Sequence, residues 1–426
     1  MQRKYTRSLV FFFLFALLSC NPEEDTTDPM IEYLEPAENT VVNLPDTLEV
    51  KVKVTDDKQL TQVILNLLNT DKIPVGEPHY YYPVSHEFEI ETFLILEDKA
   101  LTSGTYELQV FASDGQNNKF KYRDIVIKEI PRTLISYLAV TSPLSFKSNL
   151  IRLTPDFEID SQMVIEETHN LSCVHSLWEK FFFVTDEPSV ITAYDPLSFE
   201  FEWSVSVTPP RALVTDIMTD KDLLFSTANG NISVMAEWGA INLQTMPYAD
   251  KTITCMAADE RFIYAAHQSL SGDIHQLSVY YRVTGALMDQ PQLSAPIADI
   301  VPLESTLLVF LKTGNDLGIM EYNPADFTLT SIAILENETL KSVEKISDAR
   351  MLLVTNRCVI LYNYSNHYFS DFTDQPYDFC RYDDLIDVVF LAKENRVTGF
   401  GLESGNMVEE IDFQDEVVDF QILYNK

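Results

Sequence analysis

The sequence predicts an all-β protein in two parts, a small β-sandwich followed by a seven-bladed β-propeller closed by the C-terminal strand. Three observations carry this expectation. Glycine is scarce, 12 in 426 residues, while aromatics reach 12% and hydrophobic residues 46%, a balance that favours packed strands over Gly-rich ligand loops. From Ile135 onward a short apolar strand returns at intervals of 35 to 46 residues, too long a chain for one core but natural for a repeat array. The final apolar stretch, Val417 to Leu423, has no partner within its own repeat.

The charge excludes one class of function at once. With 65 Asp and Glu against 30 Lys and Arg the formal net charge is −35, which repels a phosphate backbone, so nucleic acid is not an expected partner.

The first residues read as an address. Arg3, Lys4 and Arg7 precede an apolar run from Leu9 to Leu18, too short to span a bilayer but suited to a signal segment. The run ends in Leu17-Leu18-Ser19-Cys20, which resembles a bacterial lipobox. That resemblance implies cleavage of residues 1–19 and lipidation of Cys20. Residues 20–29, with Glu23, Glu24 and Asp25, read as an acidic tether. Acidic residues directly after the lipidated Cys resemble the export signal of outer-membrane lipoproteins that face the cell surface. Loss of Arg3, Lys4 and Arg7 takes the net charge from −35 to −38, so attachment to the membrane rests on acyl chains rather than on charge.

Residues 30–130 read as short strands with turns between them. Leu48 to Val54 alternates apolar and charged residues with period two. Gln62 to Leu68, Gly104 to Ala112 and Tyr122 to Lys128 complete the visible set. Val52-x-Val54-Thr55-Asp56, followed by Gly104-Thr105-Tyr106-x-Leu108-x-Val110-x-Ala112-x-Asp114, resembles bacterial Ig-like modules. Asp56, Asp57 and Asp114 have calcium-ligand chemistry, but a dense run of aspartates is missing and turn formation explains them. His79-Tyr80-Tyr81-Tyr82-Pro83 reads as an aromatic loop, which makes Tyr80, Tyr81 and Tyr82 the candidate partner-binding residues.

Residues 131–426 carry the array. Its recurring strand appears at Ile135–Val140, Phe181–Thr185, Leu223–Thr227, Ile263–His267, Leu307–Leu311, Met351–Thr355 and Ile386–Ala392. All but the first are preceded by another apolar strand, and a third and a polar fourth follow, which is the composition of a propeller blade. The first repeat lacks its inner strand and the chain ends with a spare one. Placing Val417–Leu423 in the first blade closes the ring and removes two sheet edges, whereas an open solenoid needs caps at both ends.

Ala193-Tyr194-Asp195-Pro196-Leu197-Ser198-Phe199 and Trp203 resemble the quinoprotein-type repeat, with Phe199 where that family has glycine. The resemblance implies that Trp203 docks one blade on the next. It speaks for quinoprotein-like architecture, of the broad class that includes WD40 and YVTN-like repeats, and implies no bound quinone. No Trp-Asp dipeptide points to WD40 itself.

Catalytic signatures are missing: there is no Gly-x-Ser-x-Gly, His-Glu-x-x-His or Cys-x-x-Cys. His267 and His275 lie in neighbouring strands and invite comparison as a shared face. Cys173, Cys255, Cys358 and Cys380 allow three disulfide pairings and are expected as buried thiols. Asp383-Asp384 is one chance pair among many acids. No catalytic residue, cofactor or metal is therefore assigned. The expected protein is a lipid-anchored outer-membrane binding or scaffold protein that engages protein or glycan through the propeller face. The alternatives are a propeller-type polysaccharide lyase or glycosidase, or a subunit of an outer-membrane assembly or secretion machine.

Overall fold

The computed structural model describes residues 26–426 apart from 144–145, 187, 208–212 and 249. The chain falls into two compact units, one ending at Pro131 and one running from Arg132 to Lys426.

In the first unit, Met30–Glu35, Asp46–Thr55 and Glu87–Leu96 form a three-stranded sheet. Thr40–Asn43, Asn118–Lys128, Gly104–Ser113, Gln62–Leu68 and His79–Tyr81 lie side by side in a second sheet, in that order. The period-two pattern decides which side chains turn inward. Along Asp46–Thr55, Leu48, Val50, Val52 and Val54 are buried while Glu49 is exposed. They share one core with Val63, Leu65, Leu108, Val110, Ile125 and Ile127 of the second sheet, so the unit is a two-layer sandwich.

The second unit contains, among the described residues, seven antiparallel sheets of four main strands each. We number them in chain order, sheet 1 beginning at Leu134. The second strands of sheets 2 and 3, Lys180–Thr185 and Leu223–Thr227, are buried at every position. Neighbouring sheets cover them on both faces, so Phe181 to Val184 and Leu223 to Phe225 read as apolar runs without alternation. The fourth strands, such as Thr328–Leu335 of sheet 5, are half exposed and mix polar with apolar residues.

First strands line the axis. His169–His175, Val214–Thr219, Lys251–Ala258, Ile297–Pro302, Leu340–Ser347, Phe379–Asp383 and Glu416–Tyr424 touch in succession, and the last touches the first. This circular order makes the unit a β-propeller. The recurring strand of sheet 7 begins at Val388, two residues later than the apolar pattern suggests, because Leu385 and Ile386 sit exposed in the preceding turn.

Glu416–Tyr424 supplies the axial strand of sheet 1, pairing antiparallel with Leu134–Ser142. Its Phe420 is fully buried, with ring centroids 5.6 Å from Tyr137 and 5.3 Å from Phe390 of sheet 7. The two ends of the unit are tied together. The Arg132 guanidinium lies 3.6 Å from the Tyr424 ring centre and 2.6 Å from Asp384, and Thr133 N–H donates to the Asn425 side chain at 2.8 Å.

The turn between third and fourth strands is built alike in all seven sheets. Each holds one residue at positive φ: Phe157, Phe199, Gly239, Gly285, Phe327, His367 and Gly405. Only three of these are glycine, the residue that adopts this region without a Cβ penalty. Phe199 therefore occupies the conformation that glycine would take in the quinoprotein-type repeat it resembles.

Candidate functional site

The axis collects charge from several sheets. Asp216, Asp299, Glu344, Arg381 and Asp419 sit on the first strands of sheets 3, 5, 6, 7 and 1. A bulge precedes Asp216, Asp299 and Asp419 at the same point of each strand. The extra residue re-aims the strand and leaves backbone N–H groups for side chains to satisfy.

The acids use those donors to lace one sheet to the next. Asp216 accepts from Met256 N–H of sheet 4 at 2.6 Å, and Glu344 accepts from Tyr382 N–H of sheet 7 at 3.0 Å. Asp419 accepts from Ser172 Oγ of sheet 2 at 2.5 Å and pairs with Arg381 Nη2 of sheet 7 at 2.9 Å. These charge-assisted hydrogen bonds tie sheet 3 to sheet 4 and link sheets 6, 7, 1 and 2 in succession.

Burial governs the proton affinities of three of these acids, Asp216, Asp299 and Glu344. Burial pushes the Asp216 carboxyl up to about 7, against the pull of the Met256 N–H, and the Asp299 charge adds to the rise. Asp299 rises to about 6, again mainly through burial, with the N–H groups of Ile300 and Val343 and the Arg381 charge opposing. Glu344 is also raised by burial, with Arg381 pulling the other way. Burial works against the Arg381 charge, but Asp419 and Glu344 outweigh it and its pKa rises.

A raised carboxyl pKa stabilises the fold fully below the unfolded value of about 4 and loses that contribution as pH climbs through the folded value. The melting temperature of the wild type should therefore decline from about pH 5 to pH 8 through these groups, and Asp216→Asn should decline less steeply. Thermal melts across that range decide it; equal slopes would remove Asp216 from the account.

At one end of the ring the turns leaving the first strands of sheets 3 to 6 surround an open cavity of about 440 Å³. Asp220, Lys221, Asp259, Arg261, Lys345 and Asp348 are among its lining. Charges of both signs converge there on rigid strand ends.

The residues singled out from the sequence fall in different places. Cys20 lies outside the described residues. Tyr80 and Tyr82 are exposed, whereas Tyr81 turns inward, its ring centroid 5.6 Å from Phe88 beside the sandwich core. His79–Tyr81 is a strand and not a loop, and its pleat turns Tyr80 and Tyr81 to opposite faces. Trp203 of sheet 2 donates Nε1–H to the Glu237 carbonyl of sheet 3 at 2.9 Å. A Cβ on Gly239 would stand 3.1 Å from the indole, so that glycine also admits the close approach.

Asp114 accepts from the N–H groups of Gln116 and Asn117 at 2.6 Å each, and Asp56 accepts from Lys58 N–H, which places them in turns. Among the described residues no group of three or more His, Cys, Asp or Glu is arranged to hold a metal ion. Register pairs His267 with Gln276 and Gln268 with His275, so the two imidazoles leave the sheet on opposite faces. Cys173, Cys255, Cys358 and Cys380 are free thiols, and burial raises the pKa of each. Asp383 accepts from Tyr137 OH at 3.0 Å and Tyr424 OH at 3.1 Å, while Asp384 holds Arg132, so this pair fastens the closing strand.

Sequence reasoning missed the axial acids. The only signal was an acid after an apolar residue and a bulged one in a strand, and the array offers many such acids.

No protein-family model matches the chain, and no curated protein does. Solved structures do. The Pan2 WD40 domain of Neurospora crassa is 9% identical over 69% of this chain and 85% of that one, with a TM-score of 0.48. A quinoprotein alcohol dehydrogenase-like protein of Bacteroides thetaiotaomicron is 11% identical over 93% and 99%, with a TM-score of 0.48. BamB of Moraxella catarrhalis is 11% identical over 67% and 92%, with a TM-score of 0.42. Such likeness concerns the architecture alone, an all-β chain with a propeller.

Proposed function

We propose that the protein is a lipid-anchored binding or scaffold protein of the outer membrane, displayed at the cell surface. In this reading Cys20 carries the acyl chains and residues 20–29 form the tether. An Ig-like module then spaces a seven-bladed propeller from the bilayer. The propeller presents its axial face to a partner protein or glycan. The observation that carries the reading is the cavity at the end of the ring. It is wide, open and lined by charges of both signs from four sheets, which suits a polar macromolecular surface better than a small apolar ligand.

Two variants test it. Cys20→Ala should move the protein from the membrane to the soluble fraction and abolish labelling by palmitate. Membrane retention without labelling of the wild type would remove the anchor. Wild type purified from gently solubilised membranes should bring a stoichiometric partner. Arg261→Glu with Lys345→Glu should reduce that partner at least tenfold at unchanged melting temperature. A partner kept by the double variant, or a wild type that emerges alone, would overturn the role of this face.

A further inference from the structure

The sandwich carries a feature that the propeller reading does not use. On the outer face of its five-stranded sheet, register places Tyr80 opposite Ile64, Ile64 opposite Phe111, and Phe111 opposite Phe120. Four of the five strands thus contribute one side chain each to a single row that starts at the His79–Tyr81 edge of the sheet. Tyr80 and Phe120 are exposed by half or more, 55% and 50%. The Phe111 and Phe120 ring centroids are 4.8 Å apart. With strands about 4.8 Å apart, the row is about 14 Å long and one side chain wide.

What borders the row is as informative. On one side, Asn66 donates to Gln109 at 3.0 Å and Gln109 donates to the Tyr122 hydroxyl at 3.1 Å, a fixed rank of amides and a phenol. On the other side register aligns Gln62, Ser113 and Asn118. None of these side chains carries a charge, in a protein where 22% of residues do.

We propose that this face is a docking strip for a single extended chain of a neutral polysaccharide. The C–H faces of sugar rings stack on aromatic rings, whose faces are electron-rich. Hydroxyl groups at the ring edges find amide donors and acceptors on either side of the row. An acidic or sulfated glycan is repelled by a chain of net charge −35, and the cation beside the strip, Lys72, 5.6 Å from the Tyr122 ring centre, is already paired with Glu107. A protein partner or a second copy needs about 800 Å² per side for a stable interface, and a row of four side chains falls well short. The strip lies on the first unit, so it is independent of the propeller face.

Affinity electrophoresis of the whole mature chain tests this, with gels containing hydroxyethyl cellulose, soluble starch, galactomannan or, as the anionic control, polygalacturonate. At least one neutral polymer should retard the protein and polygalacturonate should not. Phe120→Ala and Tyr80→Ala should each weaken the retardation about tenfold or more, at unchanged melting temperature. Arg261→Glu with Lys345→Glu should leave it intact, which separates the strip from the ring. Migration unaffected by every neutral polymer overturns the proposal. So does retardation that both single variants retain, or self-association of the wild type that Phe120→Ala abolishes.

Discussion

Deleting Val417 to Lys426 should leave the propeller unfolded or aggregated while the sandwich keeps its own structure. The strand Glu416–Tyr424 is the axial member of sheet 1, and its loss exposes the edge of Leu134–Ser142. Val417, Phe420, Leu423 and Tyr424 are all buried. Full burial of each such side chain contributes about 1.5–3 kcal/mol, so together they approach the whole stability of a domain, about 5–15 kcal/mol. The deletion also removes Asp419, the acceptor for Arg381 and Ser172, and both phenol and ring partners at Tyr424. Calorimetry of the truncated chain should show one transition where the whole chain shows two. A truncated protein that melts at the wild-type temperature would refute closure of the ring by this strand.

Arg381→Met should be the most damaging single substitution at the axis. Arg381 is the cation that Asp419 pairs with at 2.9 Å and that Glu344 feels from the neighbouring sheet. The Asp419 side chain is 9% exposed, so its charge has little water to fall back on. Removing one partner of such a pair costs about 3–5 kcal/mol, mostly the cost of the carboxylates left behind. For a unit of this size that corresponds to a fall in melting temperature of roughly 5–8 °C. Adding Asp419→Asn should recover part of the loss, because the two residues act as a pair. Equal losses for single and double variants would show that Arg381 matters by packing alone.

The two strands that surround each sheet's centre were legible in the sequence for one reason. Phe181 to Val184 and Leu307 to Leu311 are covered on both faces and so are apolar throughout. The fourth strands are harder to place, since Thr328–Leu335 and Met407–Asp412 face water and mix polar and apolar residues without a clean period. In the sandwich, Asp46–Thr55 announces itself by alternation, but the apolar row does not. Tyr80, Ile64, Phe111 and Phe120 are neighbours only through register, and register over such separations is set by pairing in three dimensions. The tyrosine run was visible as a cluster, yet only the pleat tells that Tyr80 faces out and Tyr81 in. Likewise Phe199 in place of glycine reads as a departure from a repeat, and becomes intelligible once six other turns share its positive φ.

The closing strand also imposes a schedule. A ribosome makes Leu134–Ser142 long before Glu416–Tyr424, the strand that completes the first sheet of the ring. The sandwich can reach its final form while most of the propeller is still unmade, since domains fold as units in the order of synthesis. Leu134–Ser142, by contrast, is translated early and must wait, one edge open, until the six other sheets have been made. A premature stop anywhere in the array therefore yields a folded head joined to a ring that cannot shut, a product whose bare strand edge is what quality-control proteases and chaperones recognise.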